Sequence, residues 1–386
     1  VNYGSMMPEN HVLENEHLRV EFNPNGTFDL THKSTGKTFP SCHFFEDDAE
    51  AGDPWTRIEP LQNRKVSSLG SAAKISIVEN GELQSTVKVE LEMQIPKSLT
   101  SDKGKRSDEL VGLPITSLIT LRKGSPRLDI MMHFENHARD HRLRVCFPTA
   151  MKASTVDVET AFDVVSRDIE LPDTRDWVEP VTGTQPHLSF FDLSDKKSGL
   201  AVISHGLVEY EVQDNESRTM ILTLLKGVRY PKVGLPMDRV ERLEQSGSQC
   251  PGKHTCSYSL FPHEGDWQQG QVHQYTYRHF TPVKLAQCGI SGGDLPVTSG
   301  LLKIEPEALV LSALKKCDTR DSVILRFFNP TSKEFDANIN FRQPLKQVFK
   351  TILNEEREDE IPVTKSGAVF LKVAHKKIIT LECIFE

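Results

Sequence analysis

The stretch Val87-Lys88-Val89-Glu90-Leu91-Glu92-Met93-Gln94-Ile95 alternates apolar and polar side chains without a break. Successive side chains of an extended strand point to opposite faces. The pattern therefore buries Val87, Val89, Leu91, Met93 and Ile95 and leaves Lys88, Glu90, Glu92 and Gln94 in water. Similar runs appear as LRVEF from Leu18, TFDLTH from Thr27, SLITLR from Ser117, RLDIMMHF from Arg127, LRVCFP from Leu143, LAVISHGLVEYEV from Leu200 and MILTLLK from Met220. Between the first two of these, Asn23-Pro24-Asn25-Gly26 reads as a hairpin connection. Helical periodicity is thin. Its best candidate is Glu305 to Lys316, but Leu309, Leu311 and Ala313 alternate, and we read the segment as a buried strand.

The chain has 386 residues, more than the roughly 100–200 of a usual single domain. A composition shift at Gly289-Ile290-Ser291-Gly292-Gly293-Asp294-Leu295-Pro296 reads as a linker. After it come VILRFFN from Val323, DANINF from Asp336, QVFKTIL from Gln347, AVFLKVA from Ala368 and KIITLECIF from Lys377. Strands at about 10-residue spacing suggest a small β-sandwich. The expected fold is all-β: a short segment 1–12, a large antiparallel supersandwich of the galactose mutarotase type over 13–288, and a C-terminal β-sandwich over 289–386.

The formal net charge of -8, with no sustained Lys/Arg block, argues against nucleic acid or an anionic membrane as partner. The longest apolar runs, such as Gly199 to Ile203, fall far short of the roughly 20 residues of a spanning helix. Seven cysteines, an odd number without CxxC spacing, read as reduced thiols and fit a cytoplasmic location. Residues 1–10 have neither a basic region nor an apolar core, so no signal peptide is visible, and residue 1 is not Met. The expectation is a piece of a longer chain.

Between Phe44 and Pro60 the sequence FFEDDAEAGDPWTRIEP places Glu46, Asp47, Asp48, Glu50 and Asp53 within eight residues, then a lone tryptophan, Trp55. As a calcium loop it fails on spacing, because Gly52 and Asp53 fall where a ligand and then a glycine are needed. A glycosidase pair needs a second carboxylate opposite, and nothing places one. Acids that accept hydroxyl hydrogen bonds beside an indole suit a sugar ring, so the loop reads as a carbohydrate contact held by the Gly52-Asp53-Pro54 turn. His137, Asp140 and His141 read as a structural turn rather than a metal cluster. His263, near Glu264, Asp266 and Trp267, reads as a strand-end loop. No HExxH, His-x-Asp, GxSxG or phosphate-cradling loop occurs.

Several blocks resemble the C-terminal half of glycoside hydrolase family 38 α-mannosidases. These are Leu13 to Phe39, the acidic loop through GDPW, Ile119 to Thr149, SGLAVISHGLVEYEV, LTLLKGVRY, SLFPHEGDW and LKIEPEALVLSALKK, in the family's order. The resemblance implies a retaining glycosidase acting on α-mannosides or mannose-containing oligosaccharides. Its zinc and aspartate nucleophile are expected in an N-terminal catalytic half ahead of these β-domains. It assigns no catalytic residue and no metal ligand here, and implies an isolated chain without activity. It also places Trp55 where relatives usually present a tyrosine that reaches the mannose site, so stacking is kept and the phenol's hydrogen bond is lost. Asp53 supports that geometry, and Arg239 and Arg242 lie where some relatives bring a basic residue near the substrate. The rival expectations are a stand-alone carbohydrate-binding or structural β-module, and a complete mutarotase or polysaccharide lyase of similar fold.

Overall fold

The computed structural model describes residues 5–178, 181–229, 246–290, 292–294 and 296–386. The alternation at Val87 becomes the strand Gln84–Pro96, paired antiparallel along its length with Leu110–Arg122. Val87 lies opposite Ile119, Leu91 opposite Ile115 and Met93 opposite Leu113. All five apolar side chains of the alternation are buried, each contributing about 1.5–3 kcal/mol of transfer free energy. A one-residue slip would turn all of them to water, and this fixes the register.

From that pair grows a nine-stranded antiparallel sheet that includes Leu128–Asn136, Gly252–Glu264 and Ser198–Ser204. A six-stranded sheet runs in the order Gln185–Pro186, Glu209–Val212, Met220–Lys226, His141–Phe147, Phe44–Ala49 and Val66–Ser67. Tyr258 of the larger sheet and Phe147 of the smaller meet with ring centroids 5.8 Å apart, so apolar core lies between the sheets. A four-stranded meander from Val12 to Cys42 completes this part, with the Asn23–Gly26 turn joining Leu18–Phe22 to Phe28–His32 as the sequence predicts. The large antiparallel supersandwich is present.

The chain divides into two compact units, Val1–Val158 with Ser166–Gly270, and Glu159–Val165 with Gln271–Glu386. The second unit is the small β-sandwich. Sheets of three and five strands enclose Leu325, Phe327, Ile339, Val348, Val369 and Leu381. The change of unit comes at Gly270, before the Gly-rich stretch. Residues 282–290 and the described ones up to 300 form no strand or helix, and Val283, Leu285, Ile290 and Val297 are exposed.

Three local readings need correction. Leu200 to Val212 is two strands, Ser198–Ser204 and Glu209–Val212, in different sheets. The segment Glu305 to Lys316 is not one buried strand: Glu305 ends one strand, and Val310–Lys316 is an edge strand whose Leu311 and Leu314 are exposed. Val272–Phe280 is an α-helix that the sequence did not announce, because of its buried residues Val272, His273 and Thr276 only one is strongly apolar. All seven cysteines are free, four of them buried.

His263 is not in a loop. It lies in Gly252–Glu264, buried, with Nε2 2.7 Å from Asp192 Oδ1. Burial alone would push its pKa down, but the Asp192 carboxylate outweighs this and raises it. Gly199 faces the ring across the strand pair, and a Cβ there would meet His263 Cε1 at 2.2 Å. Gly199→Ala should therefore lower the melting temperature by several degrees, whereas Gly70→Ala, with open space around it and no left-handed backbone, should lower it less.

In the second unit Glu382 is fully buried, receiving N–H groups of Arg320 and Arg357 and the Ser322 hydroxyl. Its hydrogen bond from Arg357 leads the interactions that hold its pKa at about 2. A depressed carboxyl stabilises the fold above its unfolded value of about 4.3 and loses that contribution as pH falls toward the folded value. Thermal melts between pH 6 and 2 should show a steeper acid limb for the native chain than for Glu382→Gln.

Candidate functional site

The acidic stretch forms the strand Phe44–Ala49, and period-two geometry sorts its side chains. Asp47 faces the interior with Phe45 and Ala49. It accepts from the Arg106 guanidinium and lies 2.5 Å from His141 Nδ1. His141 Nε2 lies 3.0 Å from Asn136 Oδ1, an oxygen that also accepts the Ala138 N–H. Both imidazole nitrogens thus face acceptors, in a fully buried chain of polar groups. His141 is the first residue of the strand His141–Phe147 rather than part of the turn before it.

Glu46, Asp48 and Glu50 face the other side. Asp48 is fully buried and paired with three arginines: Arg142 donates to both its oxygens at 3.1 and 3.0 Å, Arg57 donates at 2.9 Å, and an Arg144 nitrogen stands 3.7 Å away. Burial would raise the Asp48 carboxyl, but Arg142, Arg144 and Arg57 together hold it well below the usual carboxylate range. Arg144 also donates to Glu211 at 2.7 Å and Glu46 at 3.0 Å. Burial pushes Glu50 up, opposed by Arg57 and Lys226, each 3.8 Å from Oε2.

This ionic layer roots the loop that follows. Glu50 Oε1 accepts from Gly52 N at 2.9 Å and Ile58 N at 3.2 Å, while Arg57 donates to the carbonyls of Ala49 and Ile58. Asp53 Oδ1 accepts from Trp55 N at 2.9 Å and Thr56 N at 2.8 Å, an Asx turn that sets the tip. A Cβ on Gly52 would stand 1.9 Å from the Thr56 carbonyl oxygen, so only glycine fits. At the tip Trp55 is 72 % exposed.

The loop thus presents an indole on a rigid mount. The acids, however, are not offered to a sugar. Asp47 and Asp48 are buried and bonded to arginines, and Glu50 is buried with two cations 3.8 Å away, because carboxylates in a sheet interior need compensating charge. Asp53 serves its own loop. Arg239 and Arg242 lie outside the described residues. Sequence reasoning missed Arg57, Arg142 and Arg144. The signal was present in Arg142-Leu143-Arg144-Val145, where two arginines share one face of an otherwise apolar strand. Among the described residues no group of three or more His, Cys, Asp or Glu side chains is placed to hold a metal ion. Nor is any helix among them long and apolar enough to cross a membrane.

Comparison with known proteins agrees with this architecture. The family model for the glycosyl hydrolases family 38 C-terminal domain matches residues 13–233, and that for the family 38 C-terminal beta sandwich domain matches 308–381. The chain belongs to glycoside hydrolase family 38 and forms its C-terminal, β-rich region. It is 26% identical, over 97% of its length, to a Halalkalibacterium halodurans protein named provisionally as a mannosylglycerate hydrolase. To mouse alpha-mannosidase 2C1 it is 21% identical over 90%. The crystal structure of an alpha-mannosidase from Enterococcus faecalis has the same fold, with a TM-score of 0.85 at 24% identity over 98% of this chain. The chain spans 42% of the Halalkalibacterium protein, 31% of the mouse one and 42% of the Enterococcus one.

Replacing one partner of a buried ion pair leaves the others uncompensated, at a cost of about 3–5 kcal/mol. Asp48→Asn should therefore destabilise the supersandwich strongly in urea denaturation. Trp55→Ala, at an exposed tip, should change stability by no more than about 0.5 kcal/mol in the same assay.

Proposed function

We propose that this chain is the C-terminal part of a retaining α-mannosidase that hydrolyses terminal α-D-mannose residues, and that it completes one wall of the sugar site. The observation that carries the reading is the exposed indole of Trp55, fixed on an Asx turn above a buried ionic layer, in a chain of family 38. An aromatic face binds the apolar side of a pyranose. A tip already ordered before the ligand arrives adds little entropic cost on binding. Two relatives named alpha-mannosidase 2C1 and the Enterococcus alpha-mannosidase favour a mannoside.

The reactive groups, a carboxylate nucleophile and a zinc ion, belong in this reading to an N-terminal catalytic half of the same enzyme. The described residues offer no set of ligands that fits such an ion, and no chemical step is assigned to them. The role left to this chain is positioning. Its free thiols suit a reducing compartment, and the reading places it in the cytoplasm.

The isolated chain should give no turnover of an aryl α-mannoside. In the full-length enzyme Trp55→Ala should lower kcat/KM about tenfold, on the order of 1.4 kcal/mol, while Trp55→Tyr retains most of it. Zinc-dependent hydrolysis by the isolated chain would refute the reading. The alternative, a stand-alone carbohydrate-binding module, predicts calorimetric heat on titrating the isolated chain with a mannose oligosaccharide and none after Trp55→Ala.

A further inference from the structure

Across the neck of the loop that carries Trp55, the Ala51 N–H donates to the Ile58 carbonyl at 3.0 Å. Opposed residues of a regular antiparallel pair exchange two such bonds. Among the described residues the second is missing from the backbone: the Ala51 carbonyl accepts from Lys103 Nζ at 3.1 Å, and the Ile58 N–H donates instead to Glu50 Oε1 at 3.2 Å. The same oxygen accepts from Gly52 N at 2.9 Å. One side-chain oxygen thus supplies the acceptor that the backbone omits, and it joins the two limbs of the loop below its tip.

A buried carboxylate beside Arg57 and Lys226 could serve as their counter-ion or as an acceptor for the loop, and distance separates the two roles. A counter-ion belongs in contact with its cations, yet the Arg57 and Lys226 nitrogens stand 3.8 Å from Oε2, beyond hydrogen-bond reach. Both amide donors are within it. Arg57 makes its close bonds with Asp48, Glu59 and the carbonyls of Ala49 and Ile58. Burial raises the Glu50 carboxyl above its ordinary value against the pull of both cations, so its surroundings favour the uncharged form. At Asp48 the opposite holds: burial is outweighed by the arginines around it, and the carboxyl lies well below the usual range. Gly52 completes the arrangement, since a Cβ there would stand 2.9 Å from Glu50 Oε1.

We propose that Glu50 is a positioning residue for the Trp55 indole, acting through the acceptor oxygen at the end of its side chain rather than through its charge. Its reach fixes the separation of Gly52 and Ile58, and the Asx turn of Asp53 builds the tip on that spacing. The consequence for a saccharide rests on the reading of Trp55 as a sugar contact; the geometry of the loop does not.

Two substitutions separate reach from charge. Glu50→Gln keeps the length and an acceptor oxygen and removes the charge, whereas Glu50→Asp keeps the charge and shortens the arm by one methylene. The readout is the fluorine NMR spectrum of the 386-residue chain with its three tryptophans replaced by fluorotryptophan, the Trp55 line being the one lost in Trp55→Phe. In Glu50→Gln that line should keep the shift and width of the parent. In Glu50→Asp it should narrow about twofold, as a loop freed to move on a faster timescale does, and shift toward its position in the unfolded chain. The line of the enclosed Trp267 should stay where it is, which shows the fold intact. The proposal is overturned if Glu50→Asp leaves the Trp55 line unmoved, or if Glu50→Gln displaces it as far. Should Glu50→Asp disturb Trp267 as well, Glu50→Gln decides: an unmoved Trp55 line upholds the role of the oxygen, and a displaced one removes it. Failure of the sugar-wall reading shows separately, as an unchanged kcat/KM of the full-length Trp55→Ala enzyme, and does not touch these lines.

Discussion

A single buried carboxylate, Asp48, faces guanidinium groups from two distant stretches of chain, Arg57 on the loop that follows it and Arg142 and Arg144 on the neighbouring strand. The strands Phe44–Ala49 and His141–Phe147 are paired, so register already brings the acid and the arginines level. Fixed-fork geometry on Arg142 then leaves Asp48 one orientation. Arg57, bound to the same carboxylate, cannot move without moving the carbonyls of Ala49 and Ile58 that it also holds. Sheet, loop root and tip are therefore one mechanical unit. Such layers are strongly destabilising to break and yet add little over well-packed apolar residues, so their value here lies in the geometry they impose.

Much of the architecture could be read from the chain because period-two alternation reports directly on which face of a strand meets the core. Val87 to Ile95, Met220 to Lys226 and the five C-terminal runs all became strands. Failures came where one-dimensional pattern and local environment part company. Ser204 to Glu209 keeps an apolar look across a turn that changes sheets, and only Gly206, with φ of 84°, hints at it. The helix Val272–Phe280 buries a histidine and a threonine, a face that hydropathy does not distinguish from solvent. Edge exposure at Val310–Lys316 depends on having no neighbour on one side, which sequence cannot state.

The site was legible in part. A tryptophan behind Gly-Asp-Pro correctly announced an exposed aromatic tip. The acids before it were misjudged, because a cluster of carboxylates reads as a solvated surface until the cations that neutralise it are located. Apart from Arg57, those cations lie far downstream, as Arg106, Arg142 and Arg144, and pair with the acids only through the fold. His141 and Asp47, and likewise His263 and Asp192, meet for the same reason.

The placement of the three indoles also has an optical consequence. Trp267 is enclosed, whereas Trp55 and Trp177 project into solvent at 72 % and 58 % exposure. Emission from the folded chain is therefore a sum of a blue component from the enclosed ring and a red component from the two wet ones. With Trp177 exchanged for phenylalanine, the long-wavelength edge of the spectrum comes from the loop tip alone. The protein carries its own reporter at the place where contact with a saccharide is proposed, without any label being attached.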